Sequence, residues 1–479
     1  MATQSPTPEF HEEPKSTHYT RRKWLQTFGM LGLGTLGGFT AYAGTRTAPT
    51  RPGSTSSGIS SWFHSSSSGQ TTIITGIGAP PTDGRILLGI DVLAQHGFAP
   101  LKGKRVGLLT HPAGVNRNGT ITVDVLKSAP GVRLTALFGP EHGIYGDEKA
   151  NVEIGDRTDP RTGLPVYSLY GKTRRPTEKM LAQIDVMVID LQDLGVRSYT
   201  YTSSMRYTME TCFKYGVEVV ILDRPNPIGG LKVDGPPLDK EWMSYVGAFR
   251  VPYVHGLTIG ELARLAKETE GWLEVEPAIQ KKGKLTVVCM HGWQRRMQWP
   301  ETGLTWIKTS PAIPDISAAM GYSMTGLGAQ LGGFKHGYGT RYPFRLLQYT
   351  GRQPEEIASA LRSRNIQGLD YTVINFKEDD GSPRRGCYII ARDWKQVRPT
   401  EISFQMMKIA CEWAKDGTNP FSTASKNDGD LFNKHVGSTA FWEALTRDGA
   451  AIKLEPFLND WQTRARIFQG ESRRGWLYA

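Results

Sequence analysis

Four short apolar runs, each ending in a polar or Pro/Gly-rich turn, constrain this chain more than any other feature. Arg105–Thr110 (RVGLLT) runs into His111-Pro-Ala-Gly114, and Arg133–Phe138 (RLTALF) into Gly139-Pro-Glu-His-Gly143. Asp185–Ile189 (DVMVI) runs into Asp190-Leu-Gln-Asp193, and Val217–Leu222 (VEVVIL) into Asp223-Arg-Pro-Asn-Pro227. Runs this apolar need cover on both faces, which parallel strands flanked by helices have. Ser203–Tyr215 and Thr258–Thr269 read as helices, the second opening with Thr258 as N-cap and Glu261 completing a capping box. Strand and helix in alternation predict an α/β fold with a doubly wound, Rossmann-like parallel sheet. Ligands of such sheets sit at the carboxyl ends of the strands. This chain gathers its polar chemistry there: His111, Glu141, His142, Asp190, Gln192, Asp193, Asp223, Arg224 and Asn226.

The texture changes along the 479 residues. In residues 1–43 the pair Arg21-Arg22 precedes an uncharged, Gly-rich stretch from Trp24 to Ala43 that closes on Ala41-Tyr42-Ala43. This reads as a twin-arginine signal peptide, and it predicts an exported protein with no membrane span after cleavage. Residues 44–82 are dominated by Ser, Thr, Gly and Pro and read as a tether. Residues 83–318 hold the strand–helix pattern. From about residue 319 glycines cluster, with helices expected at Gln353–Ser363, Glu401–Lys415, Trp442–Thr446 and Leu454–Phe468. Strands are expected at Asp370–Phe376 and Gly386–Ala391. Residues 319–479 therefore read as a smaller α+β domain that closes one side of a cleft.

Several function classes find no support. There is no G-x-G-x-x-G at the first strand-to-helix turn, no phosphate-binding lysine loop and no G-x-S-x-G elbow. The four cysteines, Cys212, Cys289, Cys387 and Cys411, have no ligand spacing. No cofactor and no metal is expected. The net charge of +11 is spread along the chain. It favours an acidic partner, and no nucleic-acid motif accompanies it.

The strand-end motifs carry a resemblance. Gly89-Ile-Asp-Val-Leu93, Phe138-Gly-Pro-Glu-His-Gly143, Asp190-Leu-Gln-Asp-Leu-Gly-Val-Arg197 with Tyr199-Thr-Tyr201, and Asp223-Arg-Pro-Asn-Pro-Ile-Gly-Gly230 resemble the exo-β-N-acetylmuramidase family. Asp234-Gly-Pro236, His255-Gly-Leu-Thr-Ile-Gly-Glu-Leu262 and Ser310-Pro-Ala-Ile-Pro314 extend the similarity, which spans roughly residues 85–479. It implies release of N-acetylmuramic acid from the non-reducing end of peptidoglycan fragments, in a cleft between the two domains. Glycoside hydrolysis needs a carboxylic acid to protonate the leaving oxygen and a second group as base or nucleophile. Glu141 is the expected acid, with His142 beside it. Asp190 and Asp193 are candidates for the second carboxylate. Asp190 is preferred, because an extended strand reaching it puts Asp190 and Gln192 on one face and turns Asp193 away. The substrate's own acetamido group is an alternative nucleophile. Arg197 or Arg224 are expected to pair with the lactyl carboxylate of muramic acid, and Tyr199 and Tyr201 to stack on a sugar face. The chain departs from the family pattern in the second domain, where Gln330 and His336 stand at positions of expected glutamates and Tyr338 at an expected arginine. That departure leaves a second reading, a glycan-binding protein without hydrolase activity.

Overall fold

The computed structural model describes residues 71–146, 157–171, 173–414 and 417–479. The expected signal and most of the expected tether lie outside these residues. No helix among the described residues is long and apolar enough to cross a membrane.

Among the described residues, the larger of two sheets has eight strands. They are β1 (Thr72–Ile74), β2 (Arg105–Thr110), β3 (Arg133–Gly139), β4 (Arg157–Thr158), β5 (Pro165–Ser168), β6 (Val186–Asp190), β7 (Glu218–Leu222) and β8 (Leu285–Val288). Their order is β1-β8-β7-β6-β2-β3-β5-β4, parallel throughout except for the edge pair β4–β5. All five residues of β6 are buried, as a central strand covered on both faces requires. Helix α1 (Gly89–Gln95) follows β1, α2 (Thr122–Ser128) joins β2 to β3, and α3 (Glu178–Leu181) precedes β6. Helices α4 (Tyr201–Lys214), α5 (Ile259–Glu268) and α6 (Pro277–Lys282) build the other half. From β2 the chain winds to one side and from β6 to the other. These two neighbours, with Thr110 opposite Asp190, form the topological switch point.

Helix α5 starts as the sequence dictates. Thr258 Oγ1 accepts the Glu261 N–H at 3.2 Å and Glu261 Oε2 accepts the Thr258 N–H at 3.1 Å. One boundary differs from the expectation. Thr72–Ile74, assigned to the tether on composition, pairs in parallel with β8. The short β-branched run Thr-Ile-Ile outweighs the flexible residues that precede it.

The smaller sheet is antiparallel, in the order β11-β12-β10-β9, from β9 (Phe334–Lys335), β10 (Leu346–Tyr349), β11 (Leu369–Lys377) and β12 (Pro383–Ala391). Around it lie α7 (Ile316–Thr325), α8 (Pro354–Arg362), α9 (Glu401–Glu412), α10 (Lys426–Val436), α11 (Thr439–Asp448) and α12 (Glu455–Ser472). One apolar cluster, from Leu109 through Tyr322 and Phe404 to Phe468, joins both sheets. All four cysteines are buried and unpaired.

The last residues return to the larger sheet. The Tyr478 hydroxyl donates to Asp223 Oδ2 at 2.5 Å and accepts the Met290 N–H at 3.0 Å. The Leu477 N–H reaches Glu261 Oε1 at 2.9 Å, and the Trp476 ring lies 3.8 Å from the Arg295 guanidinium. Asp223, expected at the substrate, is thus a structural residue. Its other partners are Thr258 Oγ1 and the N–H groups of Gly260 and Arg224. Burial pushes its carboxyl up from 3.8 to about 6, with the Tyr478 hydrogen bond opposing. A raised native value means that the stabilisation is fully present below pH 4 and is lost as the pH rises through 6. A displacement of that size corresponds to about 2–3 kcal/mol. We therefore expect the melting temperature of wild type relative to Asp223→Asn to fall between pH 4 and pH 6.5. A pH-independent difference would place the ionisation elsewhere.

Candidate active site

The turn after β3 projects one carboxylate. The Gly143 N–H donates to the Pro140 carbonyl at 3.0 Å, and His142 and Gly143 take left-handed φ values of 71° and 72°. A left-handed residue other than glycine is uncommon, and such strain gathers at functional sites. The reversal leaves the Glu141 side chain half-buried at the strand end. Thr200 Oγ1 donates to Glu141 Oε2 at 3.3 Å, and the Tyr170 hydroxyl hydrogen-bonds the same carboxyl group. The Tyr201 hydroxyl donates to the Thr309 carbonyl at 2.8 Å, with the Glu141 carbonyl at 3.4 Å.

Five tyrosines feel the charge of this carboxylate: Tyr170 and Tyr201, which contact the residue, and Tyr199, Tyr245 and Tyr322. Burial pushes each phenol above its ordinary range, and the Glu141 charge pushes the same way. They stay neutral donors at any physiological pH. Tyr199 meets Tyr201 edge-on with ring centroids 4.8 Å apart, and Tyr322 at 6.1 Å. Asp193 also acts on Tyr199 and Tyr322, so two carboxylates bear on this pair. Asp193 Oδ2 accepts the Gly195 N–H at 2.7 Å and lies 3.5 Å from His255 Nε2. His255 Nδ1 accepts the Leu257 N–H, which leaves a ring proton on Nε2, the nitrogen that faces Asp193. Asp193 Oδ1 is buried and accepts nothing among the described residues.

Asp190 has a different setting. It is fully buried, and Arg224 grips it through Nε at 2.5 Å and Nη2 at 2.9 Å. Thr122 Oγ1 donates to Oδ2 as well, and Arg224 Nη2 reaches the Val115 carbonyl at 2.6 Å. Both Asp190 oxygens are committed, so the preference for it as catalytic partner does not survive. Strand β6 ends at Asp190, and the alternation invoked for Gln192 and Asp193 stops there. His111 sits between the two groups. Its Nε2 accepts the Gln192 N–H at 2.9 Å and its ring meets Tyr201 at 4.8 Å. Burial, reinforced by the Arg224 charge, pushes the imidazole well below its usual value and keeps it neutral.

This geometry has relatives. The N-terminal and C-terminal models of the exo-beta-N-acetylmuramidase NamZ match residues 106–317 and 320–478. The chain belongs to the exo-β-N-acetylmuramidase family. It is 41% identical over 398 residues to the peptidoglycan beta-N-acetylmuramidase NamZ of Bacillus subtilis, across 82% of this chain and 92% of that protein. A DUF1343 family protein from Bacteroides fragilis has a crystal structure similar at a TM-score of 0.74 and 37% identity, over 82% of this chain and 99% of that one. A second DUF1343 protein of that organism shares the fold at a TM-score of 0.61 and 24% identity, with the same coverage.

Other residues expected to bind substrate in this muramidase-family chain are built into its frame. Arg197 gives Nη1 to the Pro236 and Val251 carbonyls and Nη2 to those of His435 and Val436, at the carboxyl end of α10. It ties the domains together, and its side chain is buried with both terminal nitrogens taken up by carbonyls. Asn226 Nδ2 donates to the Leu257 carbonyl, and Gln192 Nε2 to those of Asp193 and Pro225. Gln330 Nε2 donates to the Thr325 carbonyl. His336 stacks on Phe344 at 4.7 Å, and burial pushes it down to about 4. Phe344 meets Tyr322 at 5.0 Å, so His336 stands two rings behind the tyrosines. Tyr170, Tyr245, Thr200 and Tyr322 are not found from the sequence, because no motif or spacing sets them apart from core residues. His255 lies within a motif whose helix cap is the stronger signal.

Removing one partner of a buried ion pair strands the other. Asp190→Asn should cost about 3–5 kcal/mol of stability by urea denaturation. A loss under about 1 kcal/mol would show that the pair is solvated.

Proposed function

We propose that this chain is an exported, exo-acting β-N-acetylmuramidase, a glycosidase that releases N-acetylmuramic acid from the non-reducing end of peptidoglycan fragments. The observation that carries the reading is Glu141. It stands half-exposed on a strained strand-end turn, within a ring of neutral hydroxyl donors, in a chain matched along both halves by the muramidase family. Glu141 serves as general acid. It transfers its proton to the glycosidic oxygen as the bond from that oxygen to the anomeric carbon breaks. Asp193 serves as the second carboxylate, since it has an oxygen free of protein donors while Asp190 has none. The neutral tyrosines orient sugar hydroxyls and keep bulk water from the reacting carbon. The Arg21-Arg22 leader supports export.

The second reading, a glycan-binding protein without turnover, draws on Gln330 and His336. Gln330 is tied to the Thr325 carbonyl and His336 stacks on Phe344, two rings behind Tyr322, and these frame roles favour the enzyme.

A disaccharide of N-acetylmuramic acid and N-acetylglucosamine tests the assignment against the 4-nitrophenyl β-N-acetylmuraminide. Glu141→Gln should lower kcat on the disaccharide by about 10²–10⁴-fold. The loss on the nitrophenyl substrate should be smaller, because nitrophenolate departs without help from an acid. Equal losses on both would remove Glu141 from the acid role. No release from either substrate by folded wild type would favour the binding reading.

A further inference from the structure

A cavity of about 290 Å³ opens beside the Asp190–Arg224 pair, and neither Glu141 nor Asp193 lines it. Cleavage by those two carboxylates requires the sugar to touch both, so the cavity has a different occupant. We propose that it is a separate binding site for a small amphiphilic monocarboxylate, a molecule with one carboxylate head and a short apolar tail.

The head is argued from donors left without acceptors. Arg224 and Trp299, both lining the cavity, are 2% and 6% exposed. Arg224 spends Nε and Nη2 on Asp190 and Val115, whereas Nη1 donates to no acceptor among the described residues. Trp299 Nε1 and Arg117 Nε are buried and also find no acceptor among them. Unmet buried donors are costly, and a ligand carboxylate meets them with charge-assisted bonds.

The single charge and the tail follow from what stands around those donors. Arg85, Arg117 and Arg224 line the cavity, and no aspartate or glutamate among the described residues does. Three carboxyl groups stand behind the three guanidiniums. Asp83 pairs with Arg85 at 3.2 Å and Arg117 at 2.5 Å, Asp91 accepts the Arg117 N–H at 3.1 Å, and Asp190 holds Arg224. The cavity therefore offers aimed donors more than a strong positive field, which suits one negative charge and not a phosphate dianion. Leu88, Leu304 and Ile307 give it an apolar wall for the tail. Its volume, at the lower end of small-molecule pockets, keeps that tail short. Val115 after β2 and Arg224 after β7 place the cavity on either side of the end of β6, at the switch point where doubly wound folds bind ligands.

The test titrates the full chain by calorimetry with hexanoate, hexan-1-ol, acetate and inorganic phosphate. Hexan-1-ol lacks the charged head, acetate lacks the tail, and phosphate carries charge alone. We expect hexanoate to bind at least about tenfold tighter than each of the other three. Trp299→Phe keeps the ring and removes one donor, and should weaken hexanoate about tenfold while leaving hexan-1-ol unmoved. Ile307→Trp fills the cavity from its wall and should abolish hexanoate binding at an unchanged melting temperature. If either variant fails to fold, the other carries the test. No hexanoate binding at millimolar concentration, or hexanoate no tighter than hexan-1-ol or phosphate, would overturn the assignment. So would binding that survives Ile307→Trp in a folded chain. Turnover of the nitrophenyl muraminide checks that the site is separate: hexanoate should leave KM unchanged, and a competitive rise in KM would put the ligand at Glu141 and sink the proposal. A chain without turnover sinks the muramidase reading, and the titrations still decide the cavity.

Discussion

The buried pair between Asp190 and Arg224 organises the catalytic end of the larger sheet. Asp190 ends the central strand, Arg224 opens the loop after β7, and their remaining contacts, Val115 and Thr122, lie on the chain leaving β2. A single guanidinium thus fixes three strand ends where the chain winds apart. Charges so deep in a fold persist only when paired and hydrogen-bonded. Once they are, neither Asp190 oxygen is free of a protein donor. Glu141 is half-buried and Asp193 keeps one oxygen clear of protein donors, while His111 lies between them and the buried pair and is held neutral by burial and by the Arg224 charge.

The two domains are joined by polar groups as well as by a shared apolar core. Arg197 sits on four carbonyls, two from each side of the junction, and the Ser198 hydroxyl lies 2.9 Å from Tyr253 Oη and 3.0 Å from Tyr322 Oη. Tyr322 also belongs to the tyrosine ring, so the second domain supplies part of the Glu141 environment. The site is therefore a property of the whole chain, and its shape depends on how α7 rests against the Tyr199-Thr-Tyr201 segment.

Much of this was legible in the sequence, for a physical reason. Central parallel strands must be apolar along their length, so Arg105–Thr110, Asp185–Ile189 and Val217–Leu222 announce themselves, and polar residues collect where the strands stop. The Thr258–Glu261 cap was readable because its two hydrogen bonds are local. Roles decided by distant partners were not readable. Nothing near Arg197 in sequence shows that its acceptors lie at residues 435 and 436, and nothing near Asp190 shows that Arg224 takes both its oxygens. Motif residues come in two kinds, those that meet a ligand and those that hold the loops, and composition does not separate them. Helix α10 is hidden in the sequence, since its polar face and its glycine at position 429 mask the period; Gly429 packs beneath Trp442.

The contact between Tyr478 and Asp223 has a consequence for how the molecule can be divided. The partners are 255 residues apart in sequence, one in each domain. Asp223 lies at the heart of the first domain, yet its buried carboxylate takes a hydrogen bond from the second. A first domain cut free of the second would keep that carboxylate buried and short of one donor, so the first half is not a self-contained unit.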